Sequence, residues 1–376
     1  MLPQSIRREL NRRTFPRLKS RHVHCYPWLE LGRLTARGLR LSRLIQHETG
    51  RFSVDAVYRA LDARVASRLQ QDPEIDAVYA YEDGAWASFR KARELGVKAI
   101  YELPIGYWRF SRKLLEEEAV REPEWATTLR GNHDSTEKLS RKDDELELAD
   151  HVLVPSEFVR KTLLGAACAT APISVIPYGA PLPRARKEPR NTADSKLKLI
   201  FVGALSQRKG LSYLFKAVER FKENVTLTLI GRKVGECRVL DRALNLHRWI
   251  PSLPHADVLE EIRRHDVMVF PSLFEGFGLV LLEAMSQGVP VIATTHSAAP
   301  DFLSDGNDGF LVPIRDAEAI GEKLELLLSN RSQLGAMSEA AIRKARLHSW
   351  QRYREQLVGA VSQILGKSST EMAQVC

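Results

Sequence analysis

Short runs that are apolar at nearly every position alternate along this chain with longer stretches whose apolar residues recur every three or four positions. The runs Ala77–Tyr81, Val97–Leu103, His151–Val154 and Ile173–Ile176 form one set. Leu197–Val202, Val225–Ile230, Arg248–Ile250, Val267–Phe270, Pro290–Ala293 and Gly309–Val312 form a second. A run without polar alternation predicts a strand covered on both faces, the usual state of strands in parallel sheets. The stretches between them predict helices: Ala85–Leu95 closed by Gly96, a charged region from Ser111 to Leu148, Glu157–Leu164 behind the N-cap Ser156, Gly210–Lys222, Ala256–His265, Leu279–Gln287 followed by Gly288, and Asp316–Leu328. Strand and helix in alternation predict an α/β fold of parallel sheets joined by crossover helices. Before Ala77 the pattern is helical only, in Leu29–Leu44 and Val54–Gln70, and a helical tail runs from Arg331 to Ile364. Pro177–Arg190, which holds four prolines, and the polar Asn191–Ser195 separate the two sets and predict a linker or hinge. The expected domains are 1–178 and 179–346, with a C-terminal helix in 347–376 that packs back on the first.

Composition changes this picture little. A chain of 376 residues, 44% hydrophobic and 27% charged, is long enough for two buried cores and is neither disordered nor fibrous in composition. No apolar run approaches the roughly 20 residues that cross a bilayer, and Met1–Arg13 lacks the apolar centre of a signal peptide. Cys25, Cys168, Cys237 and Cys376 are scattered without metal-like or disulfide-like spacing, so a reducing, cytoplasmic compartment is expected. Net charge is +9, and residues 1–50 hold ten Arg and one Lys against three Glu. A solvated basic face is one reading of that start, and peripheral association with an anionic membrane, at its inner face, is a second. Nucleic acid is a third, and no nucleic-acid motif accompanies the charge.

Candidate chemistry gathers in the second set. Residues 270–294 read strand, loop, helix, Gly, strand, and the loop Glu275-Gly276-Phe277-Gly278 runs into a helix start. Such a start presents unpaired N–H groups and the positive end of the helix dipole, which suits an anion. Glu275 and Glu283 add two acceptor-only carboxylates, which suits a ligand rich in hydroxyls as well as phosphate. Ser206-Gln207-Arg208-Lys209-Gly210 has the same position between strand and helix, and Arg and Lys are the ordinary holders of phosphate. In a parallel sheet both loops open on one edge, where they can converge on one diphosphate.

In order and spacing, Gly203, Arg208-Lys209-Gly210, Glu275-Gly276-Phe277-Gly278, Glu283-Ala284, the segment Gly288 to Ala293 and Gly309 to Val312 resemble the donor half of a retaining glycosyltransferase of family 4, a group 1 glycosyltransferase. The resemblance covers most of 77–345, more weakly in the first half. It implies a GT-B fold, two Rossmann-like domains facing across a cleft, and a nucleoside diphosphate sugar as donor. Glu283 would then bond the ribose hydroxyls, Arg208 and Lys209 would neutralise the diphosphate with the N–H groups of Leu279 and Val280, and Glu275 with Gly276, Phe277 and Gly278 would hold the sugar hydroxyls. Ser252 and Leu253 match the segment whose backbone reads the base. The two cations meet the charge demand of the departing diphosphate, and no Asp-x-Asp pair is present, so no metal or other cofactor is expected.

The first half departs from the family pattern. Family members carry a His beyond a first-half strand, whereas Val97–Leu103 ends in Tyr101-Glu102-Leu103. Glu102 is therefore the expected catalytic substitute, with Glu82, Asp83, Tyr107, Trp108 and Arg109 as acceptor contacts and His133 and Asp134 as further candidates. Family members also open with a buried strand and a Gly-rich loop, and neither is legible before Gln46, so the first domain is expected to lack both. The function that follows is metal-independent, retaining transfer of a sugar to a hydroxyl acceptor, in polysaccharide, glycolipid or small-molecule glycoside synthesis. The competing readings are a sugar-nucleotide-binding relative impaired in catalysis and a basic nucleic-acid binder.

Overall fold

The computed structural model describes residues 23–129, 134–184 and 196–367. The chain forms two compact units, Met1–Val65 and Ala66–Cys376. In the first, helix α1 spans Trp28–Gly38, with Glu30 in its first turn bonded to both Nε and Nη2 of Arg33 at 2.6 Å. The helix expected to reach Leu44 stops earlier. Arg40 turns left-handed at φ 56° and the Leu41 N–H bonds back to the Ala36 carbonyl at 2.8 Å, the six-to-one closure that ends a helix. Helix α2, Val54–Gln71, spans the boundary between the units in sequence.

The second unit holds two parallel sheets. The first has strands β1 Ala77–Tyr81, β2 Lys98–Glu102, β3 His151–Val154 and β4 Ile173–Val175 in the order β1-β2-β3-β4. Among the described residues no strand precedes β1, which pairs only with β2. Helices α3 Trp86–Leu95, α4 Trp108–Arg121, α5 Thr136–Leu148 and α6 Glu157–Leu163 connect these strands. The long helix expected from Ser111 to Leu148 is broken at Pro123, where a 3-10 turn, Pro123–Thr128, takes over. Proline cannot donate to the preceding turn, and it holds Glu122 at φ −125°, outside the helical region.

The second sheet has β5 Leu197–Val202, β6 Val225–Ile230, β7 Arg248–Ile250, β8 Val267–Phe270, β9 Val291–Thr294 and β10 Gly309–Val312, in the order β10-β9-β8-β5-β6-β7. Every residue of β8 and β9 is buried, which the unbroken apolar runs required. Helices α7 Leu211–Glu219, α8 Arg238–Leu246, α9 His255–Arg263, α10 Leu279–Ser286, α11 Ala317–Ser329 and α12 Gln333–Leu347 cover the two faces. Alternate residues of each strand feed separate cores, Leu199 and Phe201 on one face and Ile200 and Met268 on the other. The strand order reverses between β5 and β8, so the crevice outside their carboxyl ends is the topological switch point, where ligands of such sheets bind.

The two sheets are tied together at two places. The chain crosses between them at residues 177–180 and 348–350, side by side, with the Ala180 N–H bonded to His348 O at 2.6 Å. From there α13, Trp350–Leu365, packs Tyr353, Leu357 and Val361 against Ile100, Leu153 and Ile176 of the first sheet. The second tie is the α4 region, whose Leu114 and Trp125 enter the core of the second sheet; Trp125 stacks on Phe215 at 6.0 Å. Glu118 of α4, fully buried, accepts from Gln207 Nε2 at 2.7 Å, Tyr213 OH at 2.9 Å and Arg315 Nε at 2.8 Å. Both sheets thus belong to one compact unit. The expected hinge lies partly at residues 185–195, outside the described residues.

Candidate active site

At the switch point the chain leaves β5 through Gly203 and makes the 3-10 turn Gln207–Lys209. Gln207 fixes this turn from below: its Nε2 bonds Ser212 Oγ at 2.6 Å, and its own N–H bonds Thr128 Oγ1 at 2.9 Å. Gly210 follows at φ 69°, where a Cβ would lie 1.9 Å from the Pro271 carbonyl oxygen, so only glycine lets this turn sit against the end of β8. Arg208 Nη1 donates to Phe274 O at 2.7 Å and reaches Glu275 Oε1 at 3.5 Å, while Lys209 Nζ pairs with Glu275 Oε2. Burial alone would raise the Glu275 carboxyl; Lys209 and Arg208 outweigh it and hold the group below its ordinary range. Burial, with Arg208 alongside, brings the Lys209 ammonium below its ordinary value, while Glu275 pulls the other way. Glu275 is therefore a carboxylate seated on two cations.

The loop that carries it continues to Gly276, where a Cβ would lie 1.8 Å from Pro104 O, and Ser156 Oγ donates to Gly276 O at 2.6 Å. The Phe277 ring is buried against Tyr178 and Phe302, at 5.3 and 6.0 Å, so only the backbone of that residue faces the crevice. Gly278 is the left-handed N-cap of α10, and Leu279 and Val280 open its first turn, whose N–H groups have no partner within the helix. Glu283, one turn further, bonds His255 Nε2 through Oε1 at 2.9 Å. That contact brings the 252–255 segment, with exposed Ser252 and half-buried Leu253, beside Glu283. The two cations follow β5, the 252–253 segment follows β7, and the first turn of α10 with Glu283 follows β8, so all of them leave the carboxyl ends of strands in one parallel sheet.

On the first sheet, Glu82 and Asp83 leave the end of β1. Glu82 Oε2 lies 3.1 Å from Lys142 Nζ, which also lies 3.6 Å from Asp83 Oδ1 and from Asp134 Oδ2. Burial, reinforced by Asp83 and Asp134, raises the Glu82 carboxyl above its ordinary value although Lys142 opposes the shift. A cavity of about 240 Å³ opens here, lined by Glu82, Ile105, Trp108, Lys142, Arg208 and Phe274 among others. Arg208 belongs both to this cavity and to the cation pair. A larger groove, about 770 Å³, lies at the amino ends of β5 and β6, lined by Lys196, Lys198, Lys222, Glu219, Glu261 and Arg264 among others.

Two expected residues take other places. Glu102 shares a strand face with Ile100, toward α13; its side chain is 3% exposed, Oε1 accepts from Tyr178 OH at 2.7 Å, and it does not line the cavity. Burial raises its carboxyl, and the group belongs to the crossing at residue 178. Tyr107, 3% exposed, is likewise outside the cavity lining: its hydroxyl bonds Asp143 Oδ1 at 2.6 Å, and burial, then Asp143, raises it far above its ordinary value. Trp108 does line the cavity, with Arg109 stacked 4.2 Å over its ring. His133 lies outside the described residues, and Asp134 joins the Lys142 cluster. Lys142, Asp143 and His255 were missed; only the i, i+4 spacing of Lys138 and Lys142 on a predicted helix offered a signal.

The architecture is that of a GT-B glycosyltransferase. It aligns with the solved structure of sucrose-phosphate synthase from Thermosynechococcus elongatus at a TM-score of 0.65 and 20% identity, covering 86% of this chain and 83% of that one. It also aligns with Anabaena HepE in complex with UDP at 0.61 and 17%, covering 80% and 82%. Residues 184–345, which hold the second sheet, match the family model described as glycosyl transferases group 1. Among curated proteins, the chain is 33% identical over 173 residues to D-inositol 3-phosphate glycosyltransferase of Corynebacterium urealyticum, 42% of this chain and 41% of that relative. The chain spans well under two thirds of the length of that relative.

Proposed function

We propose that the protein transfers a sugar from a nucleoside diphosphate sugar to a hydroxyl acceptor, without a metal and with retention at the anomeric carbon. The observation that carries this reading is the double membership of Arg208, in the cation pair and in the wall of the cavity. A diphosphate on Arg208 and Lys209 and an acceptor in the cavity then lie on the same side of the sugar. The anomeric C–O bond to the diphosphate breaks, the acceptor oxygen bonds that carbon on the face being vacated, and the acceptor proton leaves to the diphosphate oxygen. Products are the glycoside and the nucleoside diphosphate. Arg208 and Lys209 supply the positive charge that the leaving group requires, the role a metal plays elsewhere. Glu283 takes the ribose hydroxyls, residues 252–253 the base, and Glu275 with the 276–278 backbone the sugar.

Among the described residues no strand precedes β1 in the first sheet, and this favours a second reading in which donor binds without transfer. Donor titration beside a transfer and donor-hydrolysis assay separates the two: binding with neither reaction supports the second reading. Among the described residues no helix is long and apolar enough to cross a membrane. Free Cys25, Cys168 and Cys237 support a cytoplasmic site of action, and Arg33, Arg37, Arg40 and Arg43 continue a basic start suited to an anionic bilayer. Co-sedimentation with phosphatidylglycerol vesicles tests that association, which salt must weaken.

A further inference from the structure

The cavity beside Arg208 divides by chemistry. Trp108, Ile105, Leu115 and Phe274 give it apolar surface, and Glu82, Ser111, Arg112, Asp134, Lys142 and Arg208 give it polar and charged groups. The indole is held rigidly: Nε1 donates to Asp143 Oδ1 at 2.7 Å, the Arg109 guanidinium lies 4.2 Å from the ring centroid, and Tyr107 meets the ring edge at 5.8 Å. Arg109 occupies one face of the ring, and Trp108 also lines the cavity. Glu82 engages Lys142 through Oε2, and its Oε1 has no partner among the described residues; the Ser111 hydroxyl has none either. At about 240 Å³ the space is below the usual range for a drug-sized ligand. Beside it Gly106 packs on the Phe274 ring and Pro104 on Gly276.

A rigid aromatic face beside free hydroxyl and carboxylate groups matches a cyclic polyol, whose C–H face is apolar and whose rim is a belt of hydroxyls. We propose that the acceptor enters this cavity as a single six-membered polyol ring, its C–H face on Trp108 and one hydroxyl bonded to Glu82 Oε1. The proposal rests on the glycosyltransferase reading above. Trp108 sets which ring face lies down, and Glu82 aims the bonded hydroxyl toward the side where Arg208 holds the diphosphate. A linear oligosaccharide engages only through its terminal ring.

The test is saturation-transfer NMR on the full chain with glucose, galactose, N-acetylglucosamine, myo-inositol and maltotetraose, with titration of UDP, GDP and ADP run in parallel. At least one single-ring probe is expected to take saturation on the C–H protons of one face. Trp108→Ala must weaken it at least tenfold and leave nucleotide affinity unchanged, which also shows that the variant folds. Glu82→Gln, a nearly isosteric change, must weaken the same probe, and in turnover must raise the acceptor KM more than it lowers kcat. Nucleotide binding with no single-ring probe bound, or equal binding to Trp108→Ala, overturns the proposal and leaves the donor reading intact. Saturation spread evenly along maltotetraose overturns it too. Failure of every nucleotide to bind overturns the glycosyltransferase reading and this proposal with it.

Discussion

Replacement of Glu275 by Gln should strengthen the binding of a free nucleoside diphosphate while it depresses turnover. The Glu275 carboxylate, its side chain 14% exposed, pairs with Lys209 and Arg208. A diphosphate seated on the same cations brings negative charge to within about 5 Å of that carboxylate. At an effective dielectric of about 20 the repulsion is about 3 kcal/mol, and the open crevice reduces it to about 1–2 kcal/mol. Gln has the same shape and still accepts from Ser272 Oγ, now at 3.3 Å from Oε2. The nucleoside diphosphate should therefore bind roughly 5- to 30-fold tighter to Glu275→Gln, measured by isothermal titration calorimetry at neutral pH. With the complete donor the same variant loses a charged acceptor for a sugar hydroxyl, about 1.5–3 kcal/mol, and kcat/KM falls accordingly. Weaker binding of the free nucleotide by Glu275→Gln would refute the competition between carboxylate and diphosphate.

Three further outcomes follow from named contacts. Arg208→Ala should lower kcat by about 10²–10³ with a smaller rise in donor KM, because its charge acts where negative charge develops; an equal effect on a phosphate-free donor analogue would contradict this. Glu118→Ala should destabilise the protein by about 3–5 kcal/mol in urea unfolding, since Gln207, Tyr213 and Arg315 all lose a buried carboxylate acceptor; a loss under about 1 kcal/mol would show that α4 does not bind the two sheets together. The raised Glu82 carboxyl takes up its proton at a higher pH than an ordinary glutamate, so acceptor kcat/KM should fall with acidification starting above the ordinary carboxylate range. Glu82→Gln must abolish that acid limb, and its persistence would assign the limb to another group.

The apolar runs marked β8 and β9 most plainly because strands covered on two faces leave no polar alternation to mislead the eye, while the partly exposed β1, β4 and β7 stood out only as short apolar runs between turns. The placement of Arg208, Lys209, Glu275 and Glu283 was legible for a related reason: they lie in local strand-loop-helix segments, and a parallel sheet brings such loops to one edge. The place of Glu102 was not legible because the face it takes depends on α13, some 250 residues later, which packs on Ile100 and turns the alternate position inward with it. The left-handed Arg40 carries no sequence signal of the glycine kind, so α1 was drawn too long. Asp143, which orients Tyr107, Trp108 and Arg109, is one acid among many on a charged helix until tertiary packing selects it.

The account stands on the second sheet holding a nucleotide sugar at its switch point. The direct measurement is the melting temperature of the full chain, in the presence of a metal chelator, against UDP-, GDP-, ADP- and dTDP-sugars. A ligand at about 100 times its Kd stabilises the folded state by about 2.7 kcal/mol. The account predicts a rise with at least one base, undiminished by the chelator and lost in Glu283→Ala. No rise with any of the four, or a rise that Glu283→Ala leaves untouched, would contradict it.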